Sequence, residues 1–310
     1  MKVLFVCSGN KSNNRPGIVV HNQAKSLKAK GIEIEYYLIN KRGVWGYLNA
    51  IKPLIKKIKT SEYKAIHAHY SLSGYVAGLA RFVLRNKPTL IVSLMGSDTQ
   101  GNYLKLKLIQ IFSRFFWSHT IIKSKSMAKS VRFNNLVVLP NGINLEEIKA
   151  PGNSIKRNNK VLFPADPKRV SKNFPLAKSA FETLGDISLE LKLLYNRPHE
   201  EIIDNLQTCG CVLMTSRWEG SPNIIKEAMA CNTPIVATRV GDIEKLIKDL
   251  DGCYLVENTP KSISAAIQQA ISYAKDSIHT HGRKRLKELK LTAESIADKI
   301  IELYLSLIHI

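Results

Sequence analysis

Two glutamates eight positions apart, Glu219 and Glu227, open the chemistry of this chain. They bracket EGSPNIIKE (219–227), which follows the apolar run CVLMTS (211–216). The run reads as a buried strand ending at Ser216. A polar turn then holds Glu219, Gly220, Ser221, Pro222 and Asn223, and a helix starts there. Pro222 suits a first helical turn because its nitrogen has no donor to waste. The start of such a helix offers free N–H groups and a positive dipole end, a natural seat for a diphosphate or sugar hydroxyls. Gly220 permits close backbone approach. Glu219 sits on the loop, and Glu227 lies one or two turns into the helix. Carboxylates accept hydrogen bonds from vicinal hydroxyls, so the pair suits a sugar or a ribose beside an anion site. The plainer alternative is two solvated helix-end charges that complement the dipole.

The elements that must position these residues alternate regularly. Strand-like runs occupy 3–7, 32–39, 65–69, 89–95, 119–124 and 136–140, then 160–164, 189–195, 211–216, 234–238 and 253–257, with helical patterns between most of them. Near-continuous apolar strands alternating with helices predict parallel sheets covered on both faces. The expected fold class is α/β, two Rossmann-like domains facing each other across a cleft, with closing C-terminal helices. The polar stretch 141–159, with its Asn-Gly and Pro-Gly pairs, separates the two series. The expected organisation is an N-terminal acceptor-binding domain over 1–145, a linker over 146–159, and a nucleotide-sugar-binding domain over 160–310 whose last helices can return to the first domain. Ligands of parallel sheets bind beyond the carboxyl ends of the strands. That rule draws attention to His69, at the end of AIHAH, as a hydrogen-bonding partner for a reacting sugar or acceptor, against the alternative of a buried histidine bonded to a carbonyl. His67 reads as the deeper, structural one. The helix 45–59 puts Leu48, Ile51, Leu54, Ile55 and Ile58 on one face with lysines elsewhere. It and the basic, aromatic segment 102–129 are candidates for lying on anionic lipid, or for covering the core with solvated lysines.

EGSPNIIKE resembles the E-x7-E motif of the retaining glycosyltransferases of GT-B fold, glycosyltransferase family four. AMACNTPIVATRVGD (228–242) is similar to that family's next strand and loop, and PNGIN (140–144) to the signature closing its first domain. The resemblance spans most of the chain and implies a polysaccharide-biosynthesis type of enzyme. It implies that Glu219 contacts the donor sugar near the reacting carbon and that Glu227 binds the ribose. It implies that the backbone around Gly220, Ser221, Pro222, Asn223 and Ile224, with Ser216 in reach, faces the sugar and phosphates. VLFPADPKRVSKNF (161–174) resembles the loop that grips the donor diphosphate. Lys172 matches the family's lysine. Pro167 stands where its arginine would be, which leaves Arg169 or Lys168 as substitutes. A cation there offsets charge on the leaving diphosphate. In the first loop (8–18), Gly17 stands where relatives have a Gly-rich turn toward the donor phosphate. SLMGSDTQG (93–101) carries Met95 where many relatives have histidine. Asp98 remains as an acceptor ligand or weak base. The implied reaction is sugar transfer with retention, needing no metal and no cofactor beyond the nucleotide-sugar donor. The alternatives are a nucleotide-sugar epimerase of the same architecture and a non-catalytic nucleotide- or lipid-binding subunit.

Charge narrows the partners. The net charge is +21. Residues 1–150 hold 24 Lys and Arg against 6 Asp and Glu, and residues 151–310 hold 22 against 19. The basic excess belongs to the first half, which points to an anionic partner: a membrane surface, a phosphorylated acceptor or nucleic acid. The resemblance implies a saccharide or lipid-linked acceptor. The charge lies away from the nucleotide half and no RNA-binding signature appears, so no nucleic-acid partner is expected. Five cysteines without paired-motif spacing suggest a reducing compartment. The start reads as a strand rather than a signal peptide. The expected location is cytoplasmic, peripheral at the inner face of the cytoplasmic membrane. Oligomeric state is not legible.

Overall fold

The computed structural model describes residues 1–9, 14–100, 103–130, 135–152, 155–276 and 279–308. The chain divides into two units, Met1–Gly142 together with Ala293–Ile310, and Ile143–Thr292. Residues 10–13 of the expected first loop, Gly101 after Asp98 and Asn102 at the head of the second basic segment lie outside the described residues.

In the first unit the described strands are β1 (Lys2–Ser8), β2 (Glu33–Ile39), β3 (Ala65–His69), β4 (Thr89–Ser93), β5 (His119–Ile122) and β6 (Leu136–Val138). Helices α1 (Ile18–Ala29), α2 (Gly43–Asn49), α3 (Ile51–Lys59), α4 (Ser71–Phe82), α5 (Tyr103–Phe115) and α6 (Lys125–Ser130) connect them. The strands form one parallel sheet in the order β2-β1-β3-β4-β5-β6. Val3, Leu4, Phe5 and Val6 of β1 are all fully buried, as a strand covered on both faces requires. Each such side chain contributes roughly 1.5–3 kcal/mol over an exposed one.

The second unit holds β7 (Lys160–Phe163), a 3-10 turn at Val170–Lys172, α7 (Phe174–Leu184), β8 (Glu190–Leu193), α8 (His199–Thr208), β9 (Cys211–Met214), α9 (Asn223–Ala230), β10 (Ile235–Thr238), α10 (Ile243–Ile247), β11 (Cys253–Val256), α11 (Pro260–Asp276) and α12 (Gly282–Glu288). Its parallel sheet runs β11-β10-β9-β7-β8. The last helix, α13 (Ala293–Ile308), belongs to the first unit. There Tyr304 is fully buried and its hydroxyl lies 2.7 Å from His67 Nδ1. The two parallel α/β sheets realise the expected fold class.

Three local features differ from the sequence reading. The stretch 45–59 is two helices rather than one, and it takes the core-covering alternative except at Leu48, which stays 44% exposed. Leu54 and Ile58 are buried in the core, while Ile51 and Ile55 pack against it. The described part of the stretch read as a linker belongs to the second unit. Arg157 donates to the carbonyls of Leu206, Gln207, Cys209, Cys231 and Asn232 at 2.9–3.3 Å. It thereby caps the C-terminal ends of α8 and α9, the helix ends that favour a cation. Arg283 donates to the carbonyls of Leu145 and Ile148 and fastens the start of the stretch. The helix after the E-x7-E turn begins at Asn223, with Pro222 as its cap.

Candidate functional site

Strand order locates the crevices. In the second sheet β7 continues to β8 on one side, and the chain then crosses to β9 on the other, so succession reverses between β7 and β9. In the first sheet it reverses between β1 and β3. Ligands of open α/β sheets bind outside the carboxyl ends of the strands at such points. Lys172 and Ser216–Glu219 follow β7 and β9. Gly17 and His69 follow or end β1 and β3.

The two exits of the second sheet are tied together. The amide of Arg217 donates to the Ser171 carbonyl at 2.8 Å, and Thr215 Oγ1 donates to the carbonyls of Lys172 and Asn173, each at 3.0 Å. This fastening brings Lys172 onto Glu219. The lysine Nζ donates to Glu219 Oε1 in a close ion pair, and Ser216 Oγ donates to the same oxygen at 2.9 Å. Both charged side chains are mostly covered, at 14% and 16% exposure. Two of the expected site residues, Lys172 and Ser216, therefore converge on the carboxylate of a third, Glu219. Arg169 is exposed at the start of the 3-10 turn.

Beyond Glu219 the chain enters α9. No acidic residue stands in its first turn, where the positive end of the helix dipole lies. The first-turn amides of any helix lack intrahelical acceptors, which makes the segment Gly220–Ile224 able to receive oxygen atoms. Gly220, Ser221 and Pro222 are buried, while Asn223 and Ile224 are partly open. The loop after β10 lies against this turn. Gly241 has φ +63°, and a Cβ there would stand 2.5 Å from the Gly220 carbonyl oxygen. Only glycine satisfies both the angle and the approach. Beneath the turn, Lys226 is fully buried, and burial pulls its ammonium down to about 8 against the pull of Asp242 and Glu227. Asp242 is raised by burial, with Ser221 and Lys226 opposing the shift.

Glu227 projects from α9 with its side chain 15% exposed. Its Oε1 lies 3.1 Å from Nε2 of His199, the first residue of α8. That contact raises the imidazole above its ordinary value, led by the hydrogen bond to Glu227 and opposed by desolvation. Sequence reading did not single out His199. The available signal was its place just beyond β8, at a carboxyl strand end. Lys123, buried just beyond β5, gave the same signal and was also missed.

In the first unit His69 is fully buried, and both its ring nitrogens lack hydrogen-bond partners among the described residues. Its ring stacks on His67 at 4.5 Å. Burial, with His67 and Lys123 nearby, holds it well below the ordinary histidine range, so it stays neutral. His67 Nε2 lies 2.8 Å from Ser93 Oγ, which with Tyr304 fixes the ring in place. Asp98 is engaged on both oxygens. Oδ1 accepts from the amide and hydroxyl of Ser71 at 3.1 and 2.6 Å, and Oδ2 from the Met95 amide at 2.7 Å. This carboxylate braces the Met95 turn against the start of α4. Gly17 caps α1, exposed, with ordinary φ and open space around its missing Cβ. Nothing in its own fold demands glycine.

Comparison with known proteins places these residues in context. Residues 186–288 match the profile described as glycosyl transferases group 1, which takes in Ser216 and both glutamates but not Lys172. A glycosyltransferase of Methanocaldococcus jannaschii, itself uncharacterized, is 25% identical over 291 residues, covering 84% of this chain and 77% of its own length. The Escherichia coli UDP-Gal:alpha-D-GlcNAc-diphosphoundecaprenol alpha-1,3-galactosyltransferase is 22% identical over 312 residues, 84% of this chain and 80% of its own. The crystal structure of Anabaena Alr3699/HepE in complex with UDP-glucose superposes with a TM-score of 0.76 at 16% identity, covering 99% of this chain and 100% of that one. The last similarity shows the fold.

Proposed function

Because this chain is a glycosyltransferase of the GT-B fold, allied to the glycosyl transferases group 1, we propose that it moves a hexose or N-acetylhexosamine, with retention, from a nucleoside diphosphate sugar to a membrane-associated saccharide or lipid-linked acceptor in surface polysaccharide assembly. The observation that carries this reading is the convergence of Lys172, Ser216 and Glu219 beside the open start of α9, with Glu227 one helical stretch away. Glu219 accepts from hydroxyls of the transferred sugar. Lys172 and the α9 amides hold the diphosphate, and Glu227 takes the ribose hydroxyls. The acceptor oxygen bonds to the anomeric carbon as the bond to the phosphate oxygen breaks. The acceptor proton passes to the departing diphosphate, so no strong protein base is needed. Lys172 offsets the charge that grows on that group. The residues named use no metal.

UDP is the favoured nucleotide, since the Anabaena protein was crystallised with UDP-glucose and the E. coli enzyme is named for UDP-Gal. The latter's diphosphoundecaprenol substrate supports a lipid-linked acceptor. No helix among the described residues is long and apolar enough to cross a membrane. Peripheral contact instead uses α5, whose Leu104, Leu108, Ile111 and Phe115 form an exposed stripe beside Lys107 and Arg114. Trp45 of α2 is 77% exposed. Apolar and aromatic groups flanked by cations suit an anionic bilayer surface.

The deciding experiment is a thermal-shift screen with UDP, GDP, ADP and their sugars. A ligand that binds only the folded chain raises its melting temperature. One diphosphate class should stabilise the protein, and Glu227→Ala should abolish the effect. Equal, small shifts for every nucleotide would overturn the donor-site assignment.

A further inference from the structure

His199 stands at the wrong end of a helix for a cation. It is the first residue of α8, where the dipole favours negative charge, and Glu200 and Glu201 already supply that charge in the same turn. Its imidazole nevertheless bonds across to another element, reaching Glu227 Oε1 at 3.1 Å from a helix 28 residues away in sequence. Two strand exits, those of β8 and β9, are bridged by this one contact. A carboxylate on a helix swings about several torsions, and a fixed partner on one oxygen removes that freedom and sets the plane of the other.

We propose that His199 is a positioning residue for the donor nucleotide: it holds the Glu227 carboxylate through Oε1 so that the group meets the vicinal hydroxyls of a ribose. The inference rests on the assignment of Glu227 to the ribose given above. It adds that selection of ribo- over deoxyribonucleotides depends on a histidine that touches no ligand. Acidic neighbours of the imidazole are Glu227 of α9, Glu147 of the segment before β7 and Glu200 of its own helix.

The test measures binding of UDP and 2′-deoxy-UDP to the full chain and its His199→Ala and His199→Gln variants by calorimetry, with GDP and ADP pairs substituted if the screen selects those. The unmodified chain should prefer the ribonucleotide by about tenfold, the worth of one hydrogen bond to a charged group. His199→Ala should lose most of that preference through weaker UDP binding, with 2′-deoxy-UDP affinity nearly unchanged. His199→Gln, whose amide can donate from a similar place, should restore much of it. Equal weakening of both ligands in His199→Ala, or no weakening, overturns the positioning role. A lack of preference in the unmodified chain overturns the ribose assignment itself, and the inference falls with it.

Discussion

Lys172 and Glu219 leave different strands yet meet in one ion pair, because the turn after β7 and the loop after β9 are laced together by Arg217 and Thr215. The pair places a cation and a hydroxyl acceptor side by side. A sugar bound through its hydroxyls and its phosphate would engage both partners at once. Lys172→Ala should therefore lower kcat about 100-fold, in the range for loss of one charge-stabilising donor. Steady-state kinetics with the stabilising nucleotide sugar would check this. A change below about threefold would remove Lys172 from the mechanism.

Arg157 serves stability rather than chemistry. Its guanidinium satisfies carbonyls at the ends of α8 and α9. Arg157→Met strands those acceptors and should cost about 2–4 kcal/mol. Urea denaturation should show the loss, and nucleotide binding by the folded fraction should persist. A loss under about 0.5 kcal/mol would contradict the capping role.

The pH dependence of His199 has a definite sign. Its value is raised in the folded chain by Glu227, with Glu147 and Glu200 adding to the effect. The resulting stability is fully present below the unfolded value of about 6.5 and fades as pH rises through the folded value. The melting-temperature gap between the unmodified chain and His199→Gln should be larger at pH 5.5 than at pH 8.5. The buried neutral His67 and His69 titrate alike in both proteins and cancel. A gap that is constant or grows with pH would contradict the pairing.

The α5 stripe predicts surface association that salt weakens. The chain should float with vesicles containing phosphatidylglycerol and not with pure phosphatidylcholine, and binding should fall as ionic strength rises. Leu108→Glu with Phe115→Glu should abolish flotation and leave the melting temperature within a degree or two, because both side chains already face water. Retained flotation of that double variant would move the contact elsewhere.

Much of this was legible in the chain. The strand runs at 65–69 and 211–216 fall on β3 and β9 because fully buried parallel strands are apolar throughout and are punctuated by turns. Glu219 and Glu227 were visible because their turn couples glycine, proline and a helix start. What stayed hidden depends on long-range packing. The stripe Leu54–Ile58 looks the same whether it meets core or lipid. Arg157 lies in a polar stretch whose carbonyl partners are some fifty and seventy-five residues away. Asp98 kept the residue type of a base, while its backbone and hydroxyl donors could be seen only in three dimensions. His199 shows no pattern until α8 is set beside α9.

Tyr304 and His67 touch across 237 positions of sequence. During synthesis at the ribosome, the second unit is therefore complete before the first has received the helix that covers its histidines. The opening half of the chain must wait, partly formed, through the 150 residues of the second unit, Ile143–Thr292. Nascent chains halted before α13 should expose that apolar seat to proteases and chaperones, while the later half is already closed.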